Sequence, residues 1–513
     1  MDIQQFQDMV PKFREKTAEF YNGTMSQKDY KAFSGFYGSY AQRSGKANML
    51  RLRMPAGRVT KERMSFTAQM LRKYQISRIH FTTCQTIQLH DLSGGVAADI
   101  MREALENGII TIGGGGDYPR NVMCPPLSGV ESGEYFDVMP WAEEAGNYLL
   151  QFITAPKMPR KLKVGFSNSP ANETHATYRD LGFVATSNGT FDVYSAGGLG
   201  TKPRFGVKVA NDIEPEMILY YIKAMWLTFL AYGNYESRVK ARTRYMQEAL
   251  GGPEQYTAAY QEKLKEVFES NEELRIAVSS EAVKKQGSGK HESEKRIIAQ
   301  KQEGLYAVVW HPIGGMPNPD VFCKLSDTIG KMEHVEMRLS PDETAYIINL
   351  SAEEADQVLE ITAADSADHI FEMSVSCIGA SVCQVGVRDS QALLKACVSK
   401  VREAGIADGA LPKIHISGCP SSCGTHQTAA IGFRGGIKKV DGKVLPGFIL
   451  YSNGCEKQGE EEMGEEIGAI LETDIPNFLV KLGKAVMESG MDFYEWNQKN
   501  PDGIRNIAEE YIS

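Results

Sequence analysis

The sequence predicts an internally duplicated α/β (α+β) protein, and two observations support this prediction. Apolar and polar residues alternate as in a strand and then recur at helical spacing, in the order strand, helix, strand, helix. The same order then occurs a second time. The elements of the first copy cover residues 49–57, 61–74, 78–92 and 95–107, and those of the second cover residues 305–315, 318–331, 335–350 and 351–362. Such a repeat predicts two halves related by a pseudo-twofold axis.

The two predicted copies have a regular spacing and different chemistry. Pro312 follows Pro55 by 257 positions, and Gly314 follows Gly57 by the same number. Because the identities are few, chance similarity between two αβ units is the alternative. The second copy is mostly apolar, whereas the strands of the first copy carry polar side chains, namely Arg51, Arg53, Cys84, Gln85, Gln88 and His90. We therefore expect a functional face on the first copy and a structural face on the second.

Composition excludes several classes of protein. A length of 513 residues suggests roughly three or four domains, and a net charge of −9 with 42% apolar residues excludes a disordered or collagen-like chain. The acidic balance argues against a dedicated nucleic-acid binder. The N-terminus is polar and lacks the apolar core of a signal peptide, and the longest apolar run, 217–232, is shorter than the about 20 residues of a membrane span. We expect a cytoplasmic protein without membrane insertion, in which residues 217–232 form a buried core helix.

Four of the nine cysteines form two pairs. SCIGASVCQ holds Cys377 and Cys383, and SGCPSSCGTH holds Cys419 and Cys423. The small residues around both pairs let the backbone wrap a compact cofactor and direct amide N–H groups at sulfur. Four thiolates are what a 4Fe–4S cluster requires. A structural zinc, for which the C-x5-C spacing is wide, and four inert buried thiols are the alternatives.

Basic residues recur in short strand-like or turn segments. They are Arg51 and Arg53 in LRLR, Arg120 in GGGGDYPRN, and Lys161 and Lys163 in PRKLK. Strand alternation places the two lysines on one face, where their ammonium groups repel each other unless an anion lies between them. A solvated strand edge is the alternative. The lysine pair alone fits an anion-binding pocket and a solvated strand edge equally well.

Two further segments suggest contact with a cofactor. The run GGGGD at 113–117 lacks the Gly-Lys-Ser/Thr ending of a phosphate-binding loop, so we interpret it as allowing close backbone approach to a flat cofactor. The run YESRVKARTRYMQ at 235–247 adds several cations, of which a polyanionic cofactor would use some.

These motifs together resemble the sirohaem and 4Fe–4S sulfite and nitrite reductases. The C-x5-C … G-C-P-x-x-C-G arrangement is similar to the family's cluster motif, and other similar segments occur in the family's order: LRLRMPAGRVT, TTCQTIQLHDL, GDYPRNV, MPRKLK, AGGLG and SRVKARTRY. The resemblance covers about residues 30–455. It implies two ferredoxin-like half-domains and two sirohaem/4Fe–4S α/β lobes around the pseudo-twofold axis.

The pattern along the chain, together with the resemblance, predicts a division into six parts. They are an N-terminal arm (1–48), half-domain 1 (49–112), a sirohaem and substrate lobe (113–270), a linker (271–304), half-domain 2 (305–372) and a 4Fe–4S and sirohaem lobe (373–513). Within the linker, residues 283–295 are rich in Gly, Ser and Lys, which is typical of a surface segment.

The resemblance assigns roles to the motif residues. It implies that all four paired cysteines ligate the 4Fe–4S cluster and that Cys423 also ligates the sirohaem iron. It implies a substrate pocket of Arg51, Arg120, Lys161 and Lys163, in which arginine positions the anion and lysine acts nearer to proton delivery. The implied sirohaem contacts are Arg53, Cys84, Gln85, Gln88, His90, Asn121, Arg238, Lys240, Arg242 and Asn453.

Two segments depart from the family's pattern. Cys84 stands where the family commonly has an arginine that faces the sirohaem carboxylates. Another basic residue compensates for this loss, or Cys84 packs inertly against the ring, or the bound tetrapyrrole is a modified sirohaem with fewer charges. In YSNGCEKQG at 451–459, Asn453 keeps a polar contact of the family's Gly-Gly-Asn-Arg-like segment, whereas Cys455 and Lys457 are unusual.

The expected activity is the sirohaem-dependent reduction of sulfite to sulfide. Lys161-Leu-Lys163 resembles the family's sulfite reductases, while many nitrite reductases carry Lys-x-Asn. Nitrite reduction to ammonia and a non-catalytic iron–sulfur electron carrier are the alternatives. No flavin- or nicotinamide-binding segment is apparent, so we expect a ferredoxin or a flavoprotein as electron donor. The net charge of −9 would repel an acidic ferredoxin unless a local basic patch dominates at docking distance.

Overall fold

The structure is a computed structural model that describes residues 3–278, 283–291 and 295–512. Its α-helices in these ranges are α1 (Ile3–Gln7), α2 (Val10–Tyr21), α3 (Gln27–Ser34), α4 (Lys61–Lys73), α5 (Gly94–Glu106), α6 (Met139–Leu149), α7 (Ile218–Tyr232), α8 (Tyr245–Ala249), α9 (Pro253–Glu269), α10 (Pro319–Ile329), α11 (Ala352–Thr362), α12 (Ser390–Glu403), α13 (Ile475–Ser489), α14 (Phe493–Lys499) and α15 (Gly503–Ile512). None of these helices is both long enough and apolar enough to cross a membrane.

The strands complete the regular structure of the described ranges. They are β1 (Ser39–Ala41), β2 (Asn48–Leu52), β3 (Arg58–Val59), β4 (Ile79–Phe81), β5 (Ile87–Leu92), β6 (Val164–Ser167), β7 (Leu181–Ala185), β8 (Phe191–Ser195), β9 (Val207–Ile213), β10 (Ile297–Ala299), β11 (Tyr306–Trp310), β12 (Glu336–Leu339), β13 (Ala345–Leu350), β14 (Val375–Ser376), β15 (Ile414–Ser417), β16 (Ile431–Val440), β17 (Lys443–Ser452) and β18 (Glu465–Leu471).

The chain separates into two compact units. Unit 1 consists of the described residues of 1–198, 203–310 and 317–364, and unit 2 consists of those of 199–202, 311–316 and 365–513. Unit 1 contains three sheets, with strand orders β1-β2-β5-β4, β10-β11-β13-β12-β3 and β6-β7-β8-β9. Unit 2 contains one sheet, of order β14-β15-β16-β17-β18. This mixture of sheets and helices confirms the predicted α/β (α+β) class, while the finer six-part division stays a prediction.

The first two sheets of unit 1 repeat each other at a constant spacing, which differs slightly from the expected one. Strand β11 follows β2, and helix α11 follows α5, at a spacing that is one position longer than the spacing of the two prolines. Left-handed backbone angles follow the same longer spacing, with φ at 54° for Gln85 and 69° for Glu343. Pro55 therefore corresponds to Ile313 rather than to Pro312. The duplication is confirmed, but the proline match that suggested its register was coincidental.

Both copies contribute to one hydrophobic core of unit 1. The ring of Phe81 on β4 packs edge-to-face on Trp310 of β11, with ring centroids 5.6 Å apart, and both side chains are fully buried. A second core of unit 1 is built around α7. This helix matches the buried core helix that was predicted at 217–232. The two cores give unit 1 a fixed framework for the polar residues described below.

The segments 78–92 and 335–350, each predicted as one strand, are hairpins. Strands β4 and β5 pair antiparallel, as do β12 and β13. In the first hairpin the Thr82 N–H donates to the Thr86 carbonyl at 3.1 Å, and Gln85 takes the left-handed conformation that closes the turn. In the first segment no Gly or Pro marks the turn and β-favouring residues run through it, whereas in the second segment the turn signal Ser-Pro-Asp at 340–342 was overlooked. The hairpin places Cys84 in a turn instead of mid-strand.

Unit 2 repeats part of unit 1 at a second constant spacing. Strand β15 lies as many positions after β6 as β16 lies after β7. Strands β6 and β7 are parallel neighbours joined by a loop, and so are β15 and β16. The two loops share their left-handed positions, with φ at 51° for Asn172 and 52° for Ser422, and at 60° for His175 and 53° for Thr425. The loop after β15 carries the second cysteine pair, whereas the loop after β6 has no cysteine.

Segments expected to be peripheral are folded into unit 1. Residues 3–48 form α1 to α3 and β1, and β1 pairs with β2. Of the expected surface segment 283–295, residues 292–294 lie outside the described ranges, and Lys285 donates to the carbonyls of Glu333 and Asn349 at 2.8 Å each. Strand β10, which lies inside the expected linker, pairs with β11. The run 235–247 forms a short 3-10 turn followed by α8.

Candidate functional site

Two arginines of unit 1 converge on one backbone carbonyl. Arg51 extends from β2, and both its guanidinium and that of Arg120 donate to the carbonyl oxygen of Gly114, Arg120 at 2.7 Å. Arg120 also donates to the Gly116 carbonyl at 2.8 Å, while its buried Nε has no hydrogen-bond partner. Two guanidinium groups that share one neutral acceptor leave positive charge uncompensated. An anion beside them would offset that charge.

The glycine run at 113–116 positions the carbonyl oxygens that bind these arginines. A Cβ at Gly115 would lie 2.4 Å from the carbonyl oxygen of Gly35, and a Cβ at Gly114 would lie 2.7 Å from that of Thr111. The close backbone approach that was expected toward a flat cofactor is therefore an approach to the protein's own backbone. This packing fixes the carbonyl oxygens that hold the two guanidinium groups.

The segment that carries Arg120 pairs with the segment that carries the two lysines. The Arg120 N–H donates to the Leu162 carbonyl at 2.8 Å, and the Leu162 N–H donates to the Tyr118 carbonyl at 3.4 Å. Leu162 is fully buried, whereas Lys161 and Lys163 on either side of it are half-buried. The predicted alternation is confirmed, because both lysines lie on the face opposite Leu162.

A buried carboxylate anchors the second lysine. Asp180 has no exposed side-chain surface, and it accepts a hydrogen bond from the Lys163 N–H at 2.8 Å. It also accepts from Arg242 at 3.0 and 3.1 Å and from the Thr243 hydroxyl. Arg242, predicted as a sirohaem contact, is thus ion-paired inside unit 1. Asp180 connects three segments and fixes the backbone from which Lys163 extends.

The β4–β5 turn, which carries Cys84, is hydrogen-bonded to the segment that carries Arg120. Asn121 donates from its amide to the carbonyls of Cys84 and Gln85, at 3.2 and 3.1 Å. Burial would raise the pKa of the Cys84 thiol, but nearby cations outweigh burial and lower this pKa to about 6. The cations are, in order of effect, Lys163, Arg179, Arg51 and Lys161. With Arg120 added, we call these five residues the cationic cluster.

Arg179 belongs to the cationic cluster, although no motif in the sequence pointed to it. Its Nε donates to the Thr174 carbonyl at 2.8 Å, and its Nη2 lies 3.2 Å from Nδ1 of His175. The parallel pairing of β6 with β7, in which Val164 lies opposite Leu181, brings together the segments that precede the two strands. No local sequence pattern marks this pairing.

Arg53 and Gln85, two of the predicted sirohaem contacts, are buried in unit 1. Arg53 is 5% exposed, and burial, with the charges of Arg120 and Arg51, lowers its pKa to about 9. The amide of the fully buried Gln85 donates to the carbonyls of Cys124 and Leu339. These groups supply charge or rigidity, and their contact with a cofactor stays a prediction.

Gln88 and His90 lie behind Arg51. With the Gln88 amide oxygen facing Arg51, it accepts from the guanidinium Nε at 3.2 Å, and the amide nitrogen donates to Nε2 of His90 at 3.2 Å. Burial, followed by the charges of His80 and other neighbours, lowers the pKa of His90 well below its usual range. His90 is therefore neutral, and this chain of contacts holds the Arg51 side chain in place.

The remaining predicted contacts are outside the cationic cluster. Arg238 pairs with Asp117, which Arg160 also binds, and Lys240 is exposed. In unit 2, Asn453 accepts from the Asn497 amide at 2.9 Å. Their predicted role as sirohaem contacts rests on the resemblance alone.

The cysteine loops of unit 2 direct polar groups at sulfur. The Gly418 N–H donates to Sγ of Cys377 at 3.2 Å, and the Ser390 hydroxyl lies 3.2 Å from the same sulfur. Burial, followed by the neighbouring Cys423 thiol, raises the pKa of Cys377 to about 12. Two thiols held together in this way form thiolates once a metal centre supplies positive charge.

Among the described residues, no three His, Cys, Asp or Glu side chains are grouped closely enough to hold one metal ion. Structural zinc requires four donors around one ion, whereas a 4Fe–4S cluster takes one thiolate on each of its irons.

Comparisons with known proteins place the chain in a family. The model of the nitrite/sulfite reductase ferredoxin-like half domain matches residues 40–107, and that of the nitrite and sulphite reductase 4Fe-4S domain matches residues 115–268. A sulfite reductase (NADPH) hemoprotein beta-component of Geobacillus kaustophilus is 24% identical and covers 82% of this chain and 80% of its own. The chain belongs to the sirohaem and 4Fe–4S sulfite and nitrite reductase family.

Other members of this sulfite and nitrite reductase family are equally similar. A ferredoxin–nitrite reductase of Leptolyngbya laminosa is 24% identical, with 83% of each chain covered. The structure of the Mycobacterium tuberculosis NirA protein has a TM-score of 0.80 at 20% identity, covering 96% of this chain and 95% of that one, which supports the fold. Relatives named for sulfite and for nitrite match equally well, so identity does not distinguish the two substrates.

Family membership confirms the two expected cofactors, sirohaem and a 4Fe–4S cluster. The residues present fit both groups. The N–H and hydroxyl groups directed at Sγ of Cys377 suit a cysteine ligand of an iron–sulfur cluster. The carboxylates of sirohaem need positive charge, and burial together with Arg51 lowers the pKa of Arg120 to about 10, as expected where cations lack an anion.

Cys84 is expected to react as a thiolate at neutral pH. An acid with a lowered pKa is deprotonated above it, so alkylation by iodoacetamide should reach half its maximal rate near pH 6. An ordinary thiol, with a pKa of about 8.5, reacts mostly above pH 8. Peptide mass spectrometry after brief labelling between pH 5 and 9 measures this directly. The buried Cys397, whose pKa is raised by burial, is the unreactive control. Half-maximal labelling of Cys84 above pH 8 would contradict the charge effect.

Proposed function

We propose that this protein is a sulfite reductase that carries out the six-electron reduction of sulfite to sulfide with electrons from a separate donor protein. The observation that carries the proposal is the cationic cluster, in which Lys161 and Lys163 share one face beside two fixed arginines. Sulfite carries up to two negative charges and nitrite carries one. A cluster of five cations therefore favours sulfite.

The chain's own residues have separate tasks in this proposal. When bound, sirohaem and the 4Fe–4S cluster supply the redox chemistry and the route for electrons. Arg51 and Arg120 bind the anion, and the Gly114 carbonyl holds both in place, so little reorganisation is needed as charge develops. Lys161 and Lys163 hold the protons that the departing oxygen atoms take up, because an ammonium donates a proton far more readily than a guanidinium.

The proposal assigns particular residues to each cofactor. Cys377, Cys383, Cys419 and Cys423 would hold the cluster, and Cys423 would also ligate the sirohaem iron. The cationic cluster and Arg53 would offset the charge of the sirohaem carboxylates. An absorption spectrum of anaerobically purified protein, with iron counted, tests this assignment: sirohaem bands and about five irons per chain are expected. An iron–sulfur spectrum without haem bands from fully loaded protein would leave only an electron carrier.

Nitrite reduction is the second candidate, and Cys84 is the observation that favours it. As a thiolate, Cys84 subtracts one positive charge from the cationic cluster. A pocket of lower net charge discriminates less strongly against an anion with a single charge. Turnover of the two anions by the same preparation, with methyl viologen as a small-molecule donor, decides between the candidates. A higher kcat/KM for nitrite than for sulfite would replace the leading proposal by this one.

Lys163→Asn is expected to lower the sulfite-to-nitrite ratio of kcat/KM by about tenfold. This factor corresponds to roughly 1.4 kcal/mol of lost transition-state stabilisation for the more highly charged anion. Steady-state kinetics with methyl viologen measures the ratio for both anions. Lys324→Asn, which makes the same change at an exposed position of α10, is the matched control. If the ratio is the same in both variants, Lys163 does not select the substrate.

A further inference from the structure

A row of polar side chains crosses the first sheet of unit 1 and starts at Arg51. The strand register places Arg51 of β2 opposite Gln88 of β5, and Gln88 opposite His80 of β4. Directly opposed residues share one face of a sheet, so these three side chains are neighbours. Both Gln88 and His80 are buried. The row therefore connects a substrate-binding arginine to the interior of unit 1.

A carboxyl group from the second copy lies at the inner end of this row. Glu343 occupies the turn between β12 and β13, at the position that corresponds to Gln85 in the first copy. Its side chain has no exposed surface, and its Oε1 lies 3.5 Å from Nε2 of His80. A polar pair buried this deeply is costly unless its hydrogen atoms are placed to favour the contact. The location of the His80 proton therefore matters here.

Arg51 sets the direction of the hydrogen bonds along the row. A guanidinium only donates, so the amide oxygen of Gln88 faces Arg51, 3.2 Å from its Nε. The NH2 group of Gln88 then faces the two histidines, 3.2 Å from Nε2 of His90 and 3.4 Å from Nδ1 of His80. Both of these ring nitrogens must accept. A neutral His80 that accepts at Nδ1 carries its proton on Nε2, where the proton points at Glu343.

A proton on the other ring nitrogen of His80 would release Arg51. In that form His80 would present its Nδ1–H to the NH2 group of Gln88, and two donors would face each other. Rotating the amide by about 180° would remove this conflict, but it would turn the NH2 group toward the guanidinium. Arg51 would keep its bond to the Gly114 carbonyl and lose its bonds to Gln88. The location of one proton thus decides how firmly Arg51 is oriented.

We propose that His80 and Glu343 are positioning residues for the substrate anion, which they affect through Gln88 and Arg51. Glu343 keeps the proton of His80 on Nε2, His80 fixes the orientation of the Gln88 amide, and this amide orients the guanidinium of Arg51. The proposal deepens the proposed function and rests on it, because that function assigns Arg51 to the anion. The second copy, which was expected to be structural, thereby contributes Glu343 to the orientation of a substrate-binding residue of the first.

Two amide variants of His80 in the holoenzyme separate this role from a structural one. The amide oxygen of an asparagine can take the place of Nδ1, whereas the amide of a glutamine reaches the place of Nε2. His80→Gln lacks an acceptor for Gln88, so its KM for sulfite should rise about fivefold or more while kcat changes less than about twofold, because the loss concerns binding of the anion. His80→Asn keeps that acceptor and should bring the KM back to within about twofold of the wild-type value. Steady-state kinetics with methyl viologen measures both constants.

Two variants of Glu343 make the same comparison at the other end of the row. Glu343→Gln can present an amide oxygen to Nε2 of His80, so the proton of His80 stays in place. Glu343→Met has a similar volume but offers no such acceptor, so its KM for sulfite should rise as in His80→Gln. An equal KM in the two Glu343 variants would show that this carboxyl group does not set the location of the proton.

A binding measurement on the resting holoenzyme separates this proposal from the proposed function. The Kd for sulfite, read from the shift of the haem absorption bands, should be about fivefold higher in His80→Gln than in His80→Asn. Carbon monoxide, a neutral haem ligand, should bind the reduced forms of both variants equally. If the wild type reduces neither anion with methyl viologen, the proposed function fails while the difference in sulfite affinity still stands. Equal sulfite affinity in the two His80 variants would overturn the positioning role.

Discussion

Replacing Cys423 by serine is expected to abolish sulfite reduction, with a fall in kcat of at least about 100-fold. A serine hydroxyl is a poor ligand for iron, and Cys423 is the residue assigned to both the cluster and the sirohaem iron. The variant should therefore contain fewer than the about five irons per chain expected of the wild type, with weakened haem bands. Iron and acid-labile sulfide analysis, an absorption spectrum and methyl viologen turnover measure these changes.

Cys397→Ala is the matched control for this experiment. Cys397 lies on α12 in the hydrophobic core of unit 2 and has no exposed surface. Its loss leaves a small cavity, which costs about 1 kcal/mol of stability but removes no ligand. Full iron content and turnover are expected. Retention of both cofactors in the Cys423→Ser variant would show that this cysteine is not the shared ligand.

Asp180→Asn is expected to destabilise unit 1 by about 3 kcal/mol. An asparagine presents an NH2 group where the carboxylate accepts from Arg242, Thr243 and the Lys163 N–H. The substitution leaves Arg242 without its counter-charge and turns one acceptor into a donor that faces other donors. A lower midpoint of urea unfolding measures the loss. Because Lys163 extends from the displaced backbone, kcat should fall as well.

Asp327→Asn supplies the comparison for this stability effect. Asp327 forms an ion pair with Arg72, but both side chains are about half exposed. Exposed ion pairs contribute at most about 1 kcal/mol. The unfolding midpoint of this variant should stay near that of the wild type. Equal stability of the Asp180 and Asp327 variants would show that the buried carboxylate does not hold the segments of unit 1 together.

Features with a local pattern were predictable from the sequence. Cys377, Cys383, Cys419 and Cys423 stand in two short motifs, and the structure brings the backbone of both motifs together through Gly418. The helices α4, α5, α10 and α11 lie within a few residues of their predicted ranges, because their apolar spacing is regular. Alternation also placed the two lysines on one face.

Features that depend on tertiary contacts were not predictable. The turn at Cys84 has no Gly or Pro, so only the pairing of β4 with β5 reveals it. Nothing in the local pattern around Asp180 indicates that it is fully buried, since burial of an acid depends on Arg242 and Thr243, which are distant in the sequence. The resemblance implied that Gln85 contacts sirohaem, but the sequence did not indicate that its amide also bridges two backbone segments.

The cysteine-free copy of the cluster loop has a consequence for how the metal centre matures. In both copies, a glycine in the strand after the loop packs directly against the loop backbone. A Cβ at Gly182 would lie 1.8 Å from the Ala176 carbonyl oxygen, and a Cβ at Gly432 would lie 1.8 Å from the His426 carbonyl oxygen. The copy in unit 1 adopts this backbone shape without any cysteine, so the shape does not require a metal ligand. We therefore expect the cysteine loop of unit 2 to fold before iron and sulfide are inserted.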